Sequence, residues 1–84
     1  METMTDILGR IREFVVTNFY VPEQDRLTDD ASLLEAGIVD STGVCEVIAF
    51  LRKAFGIEVD DREVVPENLD TIAAIAGLVA RKMR

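Results

Sequence analysis

Eighty-four residues make one small domain, 1–84, of a size that buries only about six-tenths of the unfolded chain's surface and leaves no room for a nucleotide fold or an interdomain catalytic cleft. Sixteen acidic against nine basic residues argue against nucleic acid as a partner, which needs a basic face, and favour basic proteins instead. A single cysteine and no histidine exclude a disulfide framework and a Cys-His catalytic pair, no metal site is expected, and the lack of an apolar leader or a membrane-spanning run points to a monomeric cytoplasmic protein with no membrane contact.

The first predicted helix runs from about Thr5 to Phe19, because Ile7, Leu8, Ile11, Phe14, Val15 and Phe19 recur on one stripe. Glu2 and Asp6 suit the positive end of its dipole, Arg10, Arg12 and Glu13 are assigned to the solvent side, and Pro22 forbids continuation. Residues 20–39 read as a long loop, with apolar side chains only at Val21, Leu27, Leu33, Leu34, Ile38 and Val39. Its leucines predict that it is pinned over the core, and Ser32 or Asp30 can cap one turn from Leu33 to Ala36. An EF-hand reading of Asp25 through Ala36 fails, since Leu27, Asp30 and Ala36 stand at the third-ligand, glycine and bidentate-glutamate positions.

Val44, Val47, Ile48, Leu51 and Phe55 form the next helical stripe. Asp40-Ser41 marks its start, because side-chain oxygens of these types accept from backbone N–H groups that a first turn leaves unpaired. Gly56 is the expected stop, as glycine takes a left-handed C′ conformation freely, and Cys45 is placed at the core margin. Ile57-Glu58-Val59 alternates too briefly for a strand and has no partner strand, so it reads as an extended connector burying Ile57 and Val59.

Asp60 or Asp61 is expected to cap a short helix through Val65, ended by Pro66. Asp70 and Thr71 then start a final helix with Ile72, Ile75, Leu78, Val79 and Met83 inward, small Ala73, Ala74, Ala76 and Gly77 for close packing, and Arg81, Lys82 and Arg84 at its negative end. The fold class is all-α: a four-helix bundle of three main helices and one short one, with a long first loop.

Catalysis is not expected from this chain. Its serines have no histidine base, its carboxylates are scattered over loops, and its glycines form no phosphate-cradling pattern. Ser41 instead has position, since a phosphate attached at a helix N-terminus meets unpaired N–H groups and the positive end of the dipole.

The run Leu34-x-x-Gly37-x-x-Asp40-Ser41, followed by Val44, Glu46 and Leu51 and then Phe55-Gly56-Ile57-Glu58-Val59, resembles the acyl carrier proteins and their peptidyl and D-alanyl relatives. The resemblance covers nearly the whole chain. It implies the same helical fold and a 4′-phosphopantetheine arm, moved from coenzyme A to Ser41 by a phosphopantetheinyl transferase, whose terminal thiol holds an acyl or aminoacyl thioester while other enzymes do the chemistry. Asp40 would then contact the transferase as well as cap the helix. Thr42, Val44, Glu46, Arg52 and Lys53 would form the partner surface. Leu33, Ile38, Val44, Ile48, Leu51, Ile57, Val59 and Ile75, with Val39 nearby, would border an acyl slot, although simple core packing is the safer reading for Val44, Ile48 and Leu51.

The chain departs from the fatty-acid-synthesis pattern of Gly-x-Asp-Ser-Leu followed by an acid. Gly37-Ile38-Val39-Asp40-Ser41-Thr42-Gly43 has one extra residue, Thr for Leu and no acid, and Arg52 and Lys53 stand where housekeeping carriers tend to be acidic. These features look more like D-alanyl carriers and discrete carriers loaded by adenylate-forming ligases, which would be the partners together with downstream acyl-processing enzymes. Two readings compete with this one: a housekeeping carrier of fatty-acid synthesis, and an unmodified acidic interaction module in which Ser41 is only a cap.

Overall fold

A computed structural model describes residues 3–23 and 27–83. Its helices are α1 (Met4–Asn18), α2 (Ser41–Phe55), α3 (Pro66–Leu69) and α4 (Ile72–Lys82), with a single 3₁₀ turn at Asp61–Glu63 and no strand among the described residues. The all-α bundle of three main helices and one short one is what the periodicity implies. Among the described residues no helix is long and apolar enough to cross a membrane.

α1 begins earlier than its apolar stripe suggests because Thr3 caps it. The Thr3 hydroxyl accepts from Asp6 N–H and the Asp6 carboxylate accepts from Thr3 N–H, each at 3.2 Å, a capping box that satisfies two orphan donors. Asp6 therefore acts by direct bonding as well as through the helix dipole; Glu2 lies outside the described residues. Ile7, Ile11 and Val15 of α1 are buried against α4, whose Ile72, Ile75, Ala76, Leu78 and Val79 are almost wholly inaccessible. Val47 and Leu51 of α2, Leu69 of α3 and Ile57 of the connector complete the helical part of the core.

The long first connection is held down at both ends. Val21, Leu27, Leu33 and Val39 are buried, while Leu34 is 43% exposed, so not all of its leucines are pinned. Ser32 caps the turn at residues 33–37, its hydroxyl accepting from Glu35 N–H at 3.1 Å, and Gly37, at φ 71°, closes it. Three bonds join this turn to the start of α4: Leu33 N–H to Asp70 O at 2.7 Å, Leu34 N–H to Asp70 Oδ1 at 3.0 Å, and the Ser32 hydroxyl to Asp70 Oδ2 at 2.7 Å. A fourth runs from Ala73 N–H, in the first turn of α4, to Asp29 O at 2.9 Å.

Arg10 and Arg12 are half-buried and partnered, where the polar face of α1 suggested side chains facing water. Arg12 donates to Leu27 O at 2.5 Å and pairs with Asp29 at 2.7 Å, tying α1 to the loop. Arg10 donates to Ala54 O at 3.0 Å in the last turn of α2 and lies 4.3 Å over the Phe55 ring, so a cation meets an orphan carbonyl, the negative helix end and an aromatic face together. Long cationic side chains lay apolar stems along a surface while their heads find acceptors, which periodicity does not register.

Pro66 starts a helix rather than ending one. The 3₁₀ turn stops at Glu63, Val65 is extended as residues before proline prefer, and Pro66 takes the first position of α3, where its missing N–H costs nothing. Thr71 caps α4, its hydroxyl accepting from Ala74 N–H at 2.9 Å. Met83 is 48% exposed, since it is the C-cap one turn beyond Val79, the last buried residue of α4.

Candidate functional site

α2 starts where expected. Asp40 is its N-cap, in extended backbone, with Oδ1 accepting from Gly43 N–H at 2.7 Å and its carbonyl from Val44 N–H at 2.9 Å. Ser41 is the first helical residue and is exposed, as is Thr42. Neither Ser41 N–H nor Thr42 N–H makes a hydrogen bond among the described residues, and the first turn contains no acidic residue. A hydroxyl open to solvent thus stands beside two unpaired donors at the positive end of a 15-residue helix, and these groups suit an attached phosphodiester.

What lets the helix start at this point is a residue that the hydropathy pattern misses. Gly43 is buried, and an added Cβ would lie 2.9 Å from Phe19 Cε1 and 3.1 Å from Val39 Cγ1. Only a glycine lets the first turn of α2 come so close to the end of α1 and the end of the loop. The inward line of α2 is therefore Gly43, Val47 and Leu51, with Val44 and Ile48 half-buried on its flank. Cys45 is exposed, not marginal to the core, because it falls outside that line. At the other end Gly56 takes the left-handed conformation, φ 69°, and donates to Arg52 O at 3.0 Å.

The residues expected around an acyl slot separate into two groups. Leu33, Leu51, Ile57 and Ile75 are buried in the packed interior, as is Val39. Ile38, Val44, Ile48 and Val59 are half-buried against it. Val44 is also in the wall of an open cleft of about 110 Å³ beside the first turn of α2, with Leu34, Val64, Pro66 and Leu69 as apolar lining and Asp70 as its charged group. Ile38 lines a different depression, on the long loop with Val21, Leu27 and Ala31. Sequence reasoning missed Leu34, Val64 and Pro66. For Val64 and Pro66 the one signal was a pair of valines before a proline in a segment otherwise acidic.

Of the other surface positions, Thr42, Glu46, Arg52 and Lys53 are all exposed on α2. Arg52 approaches Glu58 only to 3.9 Å, and Lys53 makes no hydrogen bond or ion pair among the described residues. By contrast, Lys82 of α4 bonds Glu63 at 2.6 Å, and this bond, together with one from Asp60 N–H, holds the Glu63 carboxyl below its ordinary range.

The family model described as "Phosphopantetheine attachment site" matches residues 9–79. The chain is 31% identical over 73 residues to the probable acyl carrier protein PigG of Serratia sp., covering 87% of this chain and 84% of that protein. It is 32% identical over 69 residues to the acyl carrier protein of Zymomonas mobilis, covering 82% and 85% respectively. A chain in a crystal structure described as that of an FAD-dependent dehydrogenase superposes with a TM-score of 0.72 at 26% identity, over 82% of this chain and 97% of that one. Acyl carrier proteins are carriers, not catalysts, and their group is 4′-phosphopantetheine. With the attachment-site model spanning most of its length, this chain belongs to the acyl carrier protein family.

Proposed function

We propose that Ser41 carries the phosphopantetheine arm and that this carrier is loaded by a dedicated adenylate-forming ligase in a specialised pathway. The observation that supports the attachment point is the exposed Ser41 hydroxyl at the start of α2, beside the unpaired N–H groups of Ser41 and Thr42. In the transfer, the Ser41 oxygen bonds to the coenzyme A phosphorus nearest the pantetheine. The pyrophosphate P–O bond breaks, adenosine 3′,5′-bisphosphate leaves, and the serine proton passes to a base on the transferase. Asp40 fixes the helix start that presents Ser41 and adds a negative charge for the transferase to contact. The arm's thiol then holds the acyl or aminoacyl cargo as a thioester. A cytoplasmic monomer fits this role.

The test of attachment is intact mass after incubation with coenzyme A and a transferase of wide tolerance. Wild type gains one arm, and Ser41→Ala gains none while keeping its circular dichroism, since Asp40 still caps. Modification of Ser41→Ala would place the arm elsewhere.

The specialised partner is supported by the outward Arg52 and Lys53. With Asp40 and Glu46 they make the stretch from 40 to 55 neutral, two acids against two bases. A partner enzyme that reads carriers through a basic patch meets like charge here, and like-charge juxtaposition is an effective rejection device. The wild type should be a poor acceptor of malonyl from coenzyme A by a housekeeping transacylase, and Arg52→Glu/Lys53→Glu should improve turnover, most at low salt. Efficient transfer to the wild type, insensitive to both changes, would favour the housekeeping reading. A carrier-sized chain in the dehydrogenase crystal structure makes a flavin-dependent oxidoreductase a reasonable downstream partner to assay.

A further inference from the structure

The four phenylalanines of the chain lie in one line along the seam between α1 and α2. Phe19 meets Phe14 edge-on at 5.8 Å, Phe14 stacks on Phe50 at 4.1 Å, and Phe50 meets Phe55 edge-on at 5.9 Å. Arg10, over the Phe55 ring, closes the far end. Rings span this seam because α2 has no backbone approach to α1 as close as that of α4. Aromatic pairs of these geometries stabilise beyond their burial, and each ring is stiff, with only two side-chain torsions.

The near end of the line bears on Ser41. Phe19 is the C-cap of α1, and its N–H donates to Val15 O at 3.0 Å, which fixes its backbone to the helix it ends. Its Cε1 lies 2.9 Å from where a Cβ of Gly43 would be, and Asp40 Oδ1 lies 3.4 Å from the same point. The ring therefore sits on the turn that the 2.7 Å bond from Gly43 N–H to Asp40 closes. Apolar cover keeps water from competing for such a bond. This turn needs the cover, since glycine is a poor helix former and the N–H groups of Ser41 and Thr42 make no bond among the described residues.

We propose that Phe19 is a positioning residue for modification: its ring, seated on Gly43, holds the first turn of α2 closed and so presents the Ser41 hydroxyl in one place. It acts through Gly43 and Asp40, not on the reacting atoms. The proposal rests on attachment of the arm at Ser41.

The test compares Phe19→Leu with Phe55→Leu, the same change at the opposite end of the line. Each removes one edge-to-face pair, and the two should lower stability similarly in urea melts. Only Phe19→Leu should hasten deuterium exchange at Gly43 N–H, about fivefold, the scale of one lost helix cap. With coenzyme A and a transferase of wide tolerance, it should also raise the KM for the carrier about twofold and leave kcat unchanged, because the enzyme meets a turn closed only part of the time. No change in either readout for Phe19→Leu, or equal changes for the two variants, would overturn the proposal. Gly43→Ala alone should raise KM, since its methyl meets the ring, whereas in the Phe19→Leu background it should return KM to the wild-type value. The same rise in both backgrounds would equally overturn the seating of the ring on Gly43. Exchange is read before the arm is added, so its outcome is separate from attachment. Absence of a mass gain on the wild type would overturn attachment, and this proposal with it.

Discussion

α2 and α4 are built alike and used differently. Both are capped by a side chain bonded to the third residue of the first turn, Asp40 to Gly43 and Thr71 to Ala74, and both carry two basic residues in the last turn. At α4 the rest of the molecule takes up both ends. The loop carbonyl of Asp29 receives Ala73 N–H, while Lys82 bonds Glu63 and Arg81 donates to Asn68 at 3.2 Å. At α2 the first-turn donors of Ser41 and Thr42 are left open, and Arg52 and Lys53 point outward with little to hold them. The difference teaches that α4 engages polar groups of the fold at both ends, whereas α2 does so only at its C-terminal end, where Arg10 meets Ala54 O, and leaves its first turn and its basic pair facing outward.

The sharpest way to break that contrast is at the first inward position of each helix, Ile72 in α4 and Gly43 in α2. Gly43→Val should destabilise by about 2 kcal/mol, because overpacking against Phe19 and Val39 outweighs the gain of roughly 0.5 kcal/mol from removing a helical glycine. Phe19 is itself held edge-on against Phe14 at 5.8 Å, so its ring is not free to swing away. Urea melts decide the matter, and in a Phe19→Ala background the cost of Gly43→Val should largely vanish. An unchanged cost there would mean that the strain lies elsewhere.

A smaller effect separates the two caps. Asp40→Ala and Thr71→Ala should each cost about 1 kcal/mol by thermal or urea melts. Only Asp40→Ala should also slow modification by the transferase, since the end of α4 is occupied by the loop. Equal slowing by both would show that global stability, and not the local end of α2, governs modification.

The smallest effect concerns the C-terminal basic pair of α4. The folded Glu63 carboxyl sits below its ordinary 4.5, so the unfolded chain binds more protons and the bond's contribution, present at neutral pH, is lost as pH falls below that value. Lys82→Met should therefore flatten the fall of melting temperature between about pH 5 and pH 3, whereas Lys53→Met, on α2, should leave it unaltered. A steeper profile for Lys82→Met would contradict the pairing.

Much of this architecture is legible in the residue order. Asp40, Gly56 and the Ser32 turn are set by local chemistry, each within a few residues of the groups it serves, and local chemistry survives translation from sequence to structure. What escaped depends on distance or on the absence of a side chain. Gly43 has no hydropathy to enter a periodic pattern, although it fixes how closely α2 meets Phe19. Arg10 and Arg12 look like solvated charges, and Asp70 like a helix start, until partners far along the chain arrive. Pro66 illustrates a third case: the same residue ends one helix or opens the next, and the choice depended on the 3₁₀ turn stopping at Glu63.

The stitching of the first loop to Asp70 has a consequence for how α2 and α4 are coupled. Helical domains mostly form through contacts close in sequence, but the Ser32 and Leu34 bonds to Asp70 span 38 and 36 residues, and closing such distances carries an entropic cost that only the docked α4 repays. The loop that leads into Asp40 is thus held by a residue at the threshold of the last helix, so whatever loosens the docking of α4 should also loosen the start of α2.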